Sequence, residues 1–555
     1  MAEERGTGTT RLLFGMALAS GITSVPSAAI VLALPTLHKQ FDASLTELQW
    51  TVTGYLLAYS AFMIAAGRLA DVFGRKKLLI IGTSVYAAAS VVGALADSAL
   101  MLIVSLIVVG AGAAVLTPGS LAIVTNAFRG GRRAMAVGVW GAASALFSGF
   151  GPALGGFFTD ELSWRWILWF NVIIAAGILF GVRGGEESRD ETVSSRIDVT
   201  GLVLSVAGLA AIVLALNEAP TWELTSPKVL GLLVGGALLL AAFAVVERRV
   251  REPLIDLAMF AHRNVTGASV VVFVLNFAFG AVLFFIPLYL QEFLGYDPLE
   301  AGFLLLPASA TMMIGMPLGA RLFDRIGPLP PIVGGMAISG VGMLLLSGID
   351  ESTEYSDLWF PLGLEGLGLG VALTPMNLAA LNAMPRRVHG AVGGILAMLS
   401  GLGGTFGVAV SGAVNESLQH DRTVSNAADA GVTISESTAT TLDGLLSGTP
   451  SATTALNSFP ADQRATVTNA VHEAFTSALG TTMLLSFGVT VVGIILALLL
   501  IRREEMALEE EPVDDEAPAA VSTPSGPIVS GVPEPSPGMP LSGLSMPFTG
   551  VSPRP

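Results

Sequence analysis

The chain has 555 residues and is too apolar for a soluble globular protein: 52% of its side chains are hydrophobic, 13% are charged, and its mean hydropathy is +0.70. It has no cysteine, which excludes disulfides and thiolate metal sites, and its five histidines are scattered, which argues against a metal centre. The net charge of −15 is concentrated in polar loops and in the acidic segment 504–516, so we interpret it as solvated surface and expect no nucleic-acid partner. Composition therefore predicts an all-α integral membrane protein.

Fourteen apolar runs follow one another along the chain, each near the length of about 20 residues that a helix needs to cross the hydrocarbon. They cover residues 12–34, 48–66, 78–95, 101–125, 135–158, 166–182, 199–216, 229–246, 265–290, 301–323, 331–349, 358–381, 391–414 and 478–501. The first run has no small-residue cleavage site behind it and more spans follow, so we expect it to remain in the protein as a membrane helix. An even number of spans puts both termini on the same side.

Basic residues orient these spans, because short loops rich in Lys and Arg stay on the cytoplasmic side. With the N-terminus in the cytoplasm, all but five of the 28 Lys and Arg residues fall inside. The exceptions are Lys39, Arg165, Lys228, Arg422 and Arg464. The sequence therefore predicts a multi-pass protein of the plasma membrane (the cell inner membrane) with both termini cytoplasmic.

The loop between the second and third runs, residues 67–77, packs five charges and two glycines into one turn. Its pattern resembles the Gly-x-Leu-x-Asp-x-x-Gly-Arg-Lys signature of the major facilitator superfamily. The resemblance implies a conformational latch, in which Asp71 engages the opposite half of the transporter in one of two states, Arg75 is its electrostatic neighbour, and Gly67 and Gly74 shape the turn. The alternative is an ordinary cytoplasmic loop with glycine turns.

A shorter copy of this pattern, Leu322-x-Asp324-x-x-Gly327, follows the tenth run, eight helices after the first copy. That offset is what two six-helix halves give when two extra helices lie between them, so we predict the major facilitator fold with 14 transmembrane helices arranged 6 + 2 + 6. The predicted organisation is a cytoplasmic N-terminus (1–11), an N-terminal half (12–183), a two-helix insertion (184–263), a C-terminal half (264–503) with a long external loop (416–475), and a disordered cytoplasmic tail (504–555).

Several segments are similar to the fourteen-helix drug:proton antiporter branch of that superfamily: Gln49-Trp50 in the second run, Ser163-Trp164-Arg165-Trp166 before the sixth, and Pro287-Leu288-Tyr289-Leu290-Gln291 in the ninth. The fifth run carries the Gly-Pro-x-x-Gly-Gly signature that the resemblance associates with antiporters, in Gly151, Pro152, Gly155 and Gly156. Small residues let a neighbouring backbone approach closely, and Pro152 permits a bend, so this helix can rock against its partner. A packing seam without any coupling role is the alternative, and the two interpretations overlap.

Two positions depart from the pattern of that branch. It usually has an Asp nine residues before the Pro of an Ala-Leu-Pro sequence, here Pro35 of Ala33-Leu34-Pro35, and an Arg four residues before the first Gly of Gly110-Ala111-Gly112. Here these positions hold Pro26 and Leu106. Both intramembrane charges that the resemblance links to proton handling are therefore missing. Proton antiport does not follow from the resemblance alone.

The remaining intramembrane acid is Glu365, in the twelfth run. Exposure of a carboxyl to lipid is costly, so we expect it to face a central cavity, where it carries a proton or holds a cationic group of the substrate. The alternative is a neutral Glu that hydrogen-bonds a helix neighbour such as Asn276. The other cavity candidates are aromatic or amide side chains, each of which is also a plausible lipid-facing or packing residue: Trp140, Phe147, Phe273, Asn276, Phe277, Phe284 and Asn377.

No phosphate-binding loop and no nucleophile constellation occurs, so the sequence predicts neither an enzyme nor a cofactor. We predict a monomeric secondary active transporter that exports small lipophilic or amphipathic compounds by alternating access, in exchange for protons. Two alternatives stay open: an uncoupled facilitator or lipid translocator, favoured by Pro26 and Leu106, and a transport-inactive membrane sensor or assembly protein. In the long external loop, we expect residues 460–475 to lie at the membrane interface.

Overall fold

The computed structural model describes residues 2–128, 131–183, 187, 198–222, 225–250, 253–385, 388–446 and 449–502, with some helical positions, among them Arg68 and Asp71, described for the backbone only. The predicted tail, 504–555, lies outside these ranges. Within them the chain is helical and has no β-strand. This agrees with the predicted all-α class.

All fourteen apolar runs are helices, and we number them α1 to α14. Their bounds are α1 (Ala2–Ile22, continued by Val25–Phe41), α2 (Leu45–Phe73), α3 (Arg75–Ala94), α4 (Ala99–Ala127), α5 (Gly131–Phe157), α6 (Arg165–Val182), α7 (Val199–Asn217), α8 (Pro227–Glu247), α9 (Arg263–Leu288), α10 (Pro298–Leu304 and Leu306–Ile326), α11 (Leu329–Leu346), α12 (Tyr355–Asn382), α13 (His389–Asp429) and α14 (Arg464–Leu500). By length and apolar composition, twelve of the described helices are able to cross a membrane, and the bent pair of α1 makes a thirteenth. The remaining helix, α2, is long enough with 29 residues but carries polar side chains in its first turns.

The first helix is not continuous. Its two segments meet at an angle of 43°. Pro26 lies in the first turn of the second segment and has no N–H to donate to the carbonyl of Ile22, so the helical hydrogen-bond ladder is interrupted there. The helix also begins earlier than predicted, at Ala2, so the N-terminal residues expected to precede the first span belong to it.

The inserted helices α7 and α8 pack on each other at the edge of the bundle. Side chains of α8 such as Leu230, Val234 and Leu238 are exposed, as expected for a helix that faces lipid. The other inserted helix, α7, contacts both halves, because Val213 packs in one cluster with Leu57 of α2 and Ala409 of α13. The amide of Asn217 adds a hydrogen bond of 2.9 Å to Thr53 in α2.

The segment predicted as a loop, 416–475, is a folded helical unit that we call the cap. It contains the last turns of α13, the helices Glu436–Leu442 and Pro450–Asn457, and the first turns of α14. Its described core is apolar and comprises Ala427, Val432, Ile434, Ala439, Leu442, Val467, Ala470 and Val471. Within 460–475, Val467, Ala470 and Val471 pack inside the cap, and the expected position of this segment at the membrane interface stays a prediction.

The cap marks one end of the bundle, the cap end, and the 67–77 loop marks the other, the loop end. Gly74 has φ of +103° and Gly327 has φ of +85°, so both copies of the repeated motif end their helix with a glycine in the left-handed region. The internal repeat is thus visible in the backbone.

The first and last helices both have a terminus at the loop end. Arg11 of α1 stacks on Phe180 at the end of α6, and Asn264 at the start of α9 donates a hydrogen bond to the carbonyl of Arg502 after α14.

Candidate functional site

A central cavity of about 260 Å³ lies between the two halves. Residues of α1, α2 and α5 form its N-terminal wall, and residues of α9, α10 and α13 form the opposite wall. On α9 the lining residues are Asn276, Phe279, Gly280, Leu283 and Phe284, which recur at the three- and four-residue spacing of one helix face. All the described residues that line this cavity are uncharged. It therefore suits an apolar or neutral amphipathic ligand.

The bend of α1 lies at the wall of this cavity. It exposes Thr23, Ser24 and Ser27 to the cavity space. The hydroxyl of Tyr55 in α2 donates a short hydrogen bond to the carbonyl of Thr23, which the missing helical turn leaves free. Interrupted helices near the midplane are where transporters commonly place polar contacts to a substrate. The bend thus gives the N-terminal half its polar surface.

A second hydroxyl pair extends this surface. Tyr59 stacks on Tyr55, with ring centroids 6.2 Å apart, and its hydroxyl lies 3.2 Å from that of Thr117 in α4. Both tyrosines line the cavity. These residues were not among the predicted cavity candidates. Pro26 was the available signal for them, because a proline at that position predicts a break in the first helix.

The glycine-rich seam of α5 packs between the two halves. Gly155 meets the backbone of Ala29 in α1, and a Cβ at Gly156 would clash with the carbonyl oxygen of Pro298 at the start of α10. On the facing helix, a Cβ at Gly302 would lie 2.8 Å from the carbonyl oxygen of Pro152. Small residues on both sides therefore allow direct backbone contact between the halves.

Comparison with known proteins fits this architecture. The sequence profile of the Major Facilitator Superfamily matches residues 13–408. The chain belongs to the Major Facilitator Superfamily. It is 29% identical to the tetracenomycin C resistance and export protein of Streptomyces glaucescens, over 90% of this chain and 94% of that protein. It is 33% identical to the multidrug resistance protein Stp of Mycobacterium tuberculosis, over 73% of this chain and 76% of that protein.

A solved structure agrees with the superfamily fold. The bacterial homologue of the human lysosomal transporter Spinster has a TM-score of 0.62 to this chain at 16% identity, covering 89% of this chain and 97% of that one. The predictions of a superfamily efflux transporter, and of a protein that is not an enzyme, are confirmed by these relationships.

The superfamily loop at the loop end has an unexpected partner. The carboxylate of Glu187, in the linker after α6, accepts hydrogen bonds of 3.0 Å from the backbone N–H groups of Lys76 and Lys77. It thereby accepts from backbone donors in the first turn of α3, where the helix dipole favours a negative charge. Among the predicted latch residues, Gly74 lies against this carboxylate, and Arg75 has its own polar partners. The side chain of Asp71 lies outside the described residues.

The superfamily position of the missing helix-4 arginine, Leu106, is buried in α4 and packs in the N-terminal core. At the other departure, Pro26 marks the bend of α1. Both positions are thus filled by apolar residues that fit their surroundings. Neither leaves an unpaired charge in this half.

The predicted proton carrier, Glu365, is fully buried in α12 and packs against α11 rather than the central cavity. Its Oε1 is 3.5 Å from the hydroxyl of Ser339, and its Oε2 has no described hydrogen-bond partner. The expectation that it faces the cavity is therefore not met. Asn276, suggested as its partner, instead donates to the carbonyl of Val272 in its own helix.

Of the predicted cavity residues, Asn276 and Phe284 lie on the cavity wall. The ring of Phe273 contacts that of Phe406 of α13 in a tilted arrangement, with centroids 5.8 Å apart, and the backbone of Phe277 packs against Gly407. These two phenylalanines therefore hold α9 against α13.

The other predicted cavity residues serve contacts within one half. Phe147 lies over Gly21 of α1 and near Phe170 of α6. The indole N–H of Trp140 donates to Ser120 at 2.9 Å. The amide of Asn377 donates to the carbonyl of Leu373, one turn earlier in α12.

Proposed function

We propose that this efflux transporter exports small lipophilic or neutral amphipathic compounds by alternating access, with the central cavity as the binding site. The observation that carries the proposal is the uncharged lining of a cavity that lies between the two halves. The names of the relatives, which include resistance proteins for tetracenomycin C and for multiple drugs, support export of such compounds. Aromatic and hydroxyl side chains on the wall can accommodate ligands of many shapes, because they make few fixed contacts with a ligand.

The seam between α5 and α10 supports the rocking motion. Direct backbone contact between small residues forms and separates without large side-chain rearrangements. We propose that this seam closes the cavity toward the cap end, and that the 67–77 loop, with Asp71 and Arg75, stabilises the opposite closed state. In this scheme both termini and the 67–77 loop are cytoplasmic, the cap is external, and the protein works as a monomer in the plasma membrane.

Proton exchange is the coupling that we propose, with Glu365 as its candidate within the membrane. Among the described residues the buried carboxyl has one weak hydrogen-bond partner, Ser339, so a change of its environment during the cycle would change its proton affinity. One specific observation favours a second candidate function, an uncoupled facilitator: the described cavity lining contains no acid that a proton entering the cavity would meet.

Reconstitution distinguishes these functions. Liposomes that contain the protein and a fluorescent lipophilic substrate are given a pH gradient, a voltage or neither. Antiport predicts flux that follows the pH gradient and becomes independent of it in Glu365→Gln. Flux that ignores both gradients would establish the uncoupled facilitator.

A matched pair of substitutions tests the cavity itself. Ser27 lines the cavity, whereas Ser84 of α3 is exposed on the outside of the bundle. Ser27→Trp fills the cavity and is expected to reduce efflux at least about tenfold, since a bulky side chain excludes the substrate. Ser84→Trp is expected to export at the normal rate. Equal rates for both variants would exclude this cavity as the transport site.

A further inference from the structure

A second, larger chamber lies beneath the cap. It has a volume of about 480 Å³, within the range that holds a drug-sized molecule. Its walls come from the end of α1, the start of α2, α9, the last turns of α13 and the cap. Gln49 separates it from the central cavity, because its amide bonds the carbonyl of Val408 at 2.6 Å, and Phe284 borders both spaces.

Charge sets this chamber apart. The described residues that line it include four carboxylates and no Lys or Arg: Asp42, Glu292, Glu416 and Asp443. The two arginines of the cap are used elsewhere. Arg422 donates to Ser477 and Thr481, and Arg464 donates to the carbonyls of Asn457 and Phe459. Acidic side chains therefore outnumber Lys and Arg on the described wall of the chamber, which also contains His38.

The two innermost carboxyls are Glu416 of α13 and Asp443 of the cap. Thr46 donates a short hydrogen bond to Glu416, and the amide of Gln419 donates to Asp443 at 3.3 Å. Burial, and next the nearby charge of Glu416, raise the pKa of Asp443 well above its usual value. Among the described residues each carboxyl thus has one neutral donor, and the charge of Glu416 makes ionisation of Asp443 more costly.

A further polar group points to a ligand. Asn415 is 1% exposed on the chamber wall, next to Glu416, and its side-chain oxygen has no hydrogen-bond partner among the described residues. A buried acceptor without a donor is costly, and such groups are commonly satisfied by a ligand or water. Phe284, Phe285 and Phe475 line the same chamber and supply an aromatic surface.

We propose that this chamber is a binding site for organic cations with an apolar body, separate from the central cavity. Glu416 and Asp443 pair with the positive charge, while the phenylalanines contact the apolar part by cation–π and hydrophobic interactions. A bound cation places a positive charge beside Glu416 and Asp443 and allows both acids to ionise. A cation can bind at this site without being transported.

Binding of tetraphenylphosphonium to the purified full-length protein tests the site, with neutral triphenylphosphine oxide as the matched uncharged probe. Glu416→Gln and Asp443→Asn are each expected to weaken phosphonium binding at least about tenfold and to leave the neutral probe unaffected, because a desolvated charge pair is lost. Glu161→Gln, an exposed acid after α5, is the control and is expected to change the dissociation constant less than about twofold. Unchanged phosphonium binding in both chamber variants would overturn the proposal.

The lack of native cysteines allows a second measurement, which remains informative if a chamber variant folds poorly. Ser437 lines the chamber, and Ser458 lies exposed elsewhere on the cap. For each cysteine variant, the rate of modification by a cationic methanethiosulfonate reagent is divided by the rate for a neutral one. This ratio is expected to be higher for Ser437→Cys than for Ser458→Cys. Phosphonium is expected to protect only Ser437→Cys. Equal rate ratios at the two cysteines, with no protection of either by phosphonium, would contradict the acidic site.

Different results would disprove the proposed transport function and the proposed binding site in the chamber. Ser27→Trp, which blocks the central cavity, is expected to retain phosphonium binding. A protein that binds phosphonium but exports nothing would disprove the proposed function and leave the chamber site intact.

Discussion

The central cavity and the chamber beneath the cap share Phe284 but differ in their chemistry. The described lining of the cavity is uncharged and presents hydroxyl groups around the bend of α1, whereas the described lining of the chamber has four carboxylates and no Lys or Arg. The cavity lies between the halves and is expected to change shape with their motion. The chamber is built largely from α13 and the folded cap. Under the two proposals, the cavity selects its ligands by shape and the chamber selects them by charge.

The largest expected effect comes from the seam beside the cavity. Gly156→Ala places a methyl group against the carbonyl of Pro298, and overpacking of this kind costs about 1–3 kcal/mol. Efflux from reconstituted liposomes is expected to fall about tenfold, while phosphonium binding in the chamber persists. Gly138→Ala is the control in the same helix, because nothing lies within 4 Å of the added methyl. Loss of both activities in Gly156→Ala would show that the two sites are not independent.

A smaller effect is expected at the bend of α1. Tyr55→Phe removes the donor to the carbonyl of Thr23 and leaves a buried acceptor without a partner, which costs about 1–3 kcal/mol. A lower melting temperature and a severalfold lower affinity for a neutral substrate are expected. Tyr86→Phe is the comparison at the same bend, since its hydroxyl lies 3.5 Å from the carbonyl of Ile22 and makes a weaker hydrogen bond, so a smaller loss of stability is expected. Identical stability of the two variants would mean that the hydroxyl of Tyr55 does not support the bend.

The smallest expected effect concerns the acidity of the chamber. The pKa of Asp443 is raised in the folded cap, so the folded state binds this proton more tightly than the unfolded state. The associated stability is fully present below the ordinary Asp pKa of about 4 and is lost as pH rises through the raised value. Hydrogen exchange of cap amides, corrected for intrinsic rates, is expected to show greater protection as pH is lowered through that window.

Asp443→Asn is the control for that measurement. It removes the titrating group, so the dependence of cap protection on pH is expected to flatten. Phosphonium should reduce the same dependence in the wild-type chain, because it pairs with the ionised acids. A slope that is the same with and without Asp443 would assign the pH response to another group.

The spans were predictable because each is a long apolar run with a strong compositional signal. The orientation of individual side chains was harder to predict from the sequence. Phe273 and Phe277 lie on the face of α9 that meets α13, while Asn276, Phe279 and Leu283 face the cavity. An apolar helix surrounded by helices and lipid has aromatic residues on every side, so the sequence alone does not identify the face that lines the cavity.

The cap was missed for a different reason. Its core joins residues of α13, such as Ala427, to residues of α14, such as Val467 and Val471, across about 40 positions of sequence. Between them the segment is rich in Ser and Thr, which is typical of loops. The bend of α1 was visible as Pro26, but the position was interpreted as a missing charge instead of a broken helix. Glu365 illustrates the same limit, because only packing showed that it meets α11.

The inserted helix α7 has a mechanical consequence. It contacts α2 in one half and α13 in the other, through Leu57 and Ala409, and Asn217 ties it to Thr53. Any relative rotation of the two halves has to shear one of these contacts. The hydrogen bond fixes α7 to the N-terminal half, so sliding should take place along the smooth apolar surface around Ala409. In that arrangement α7 and α8 move together with the N-terminal half and support the C-terminal half from the side.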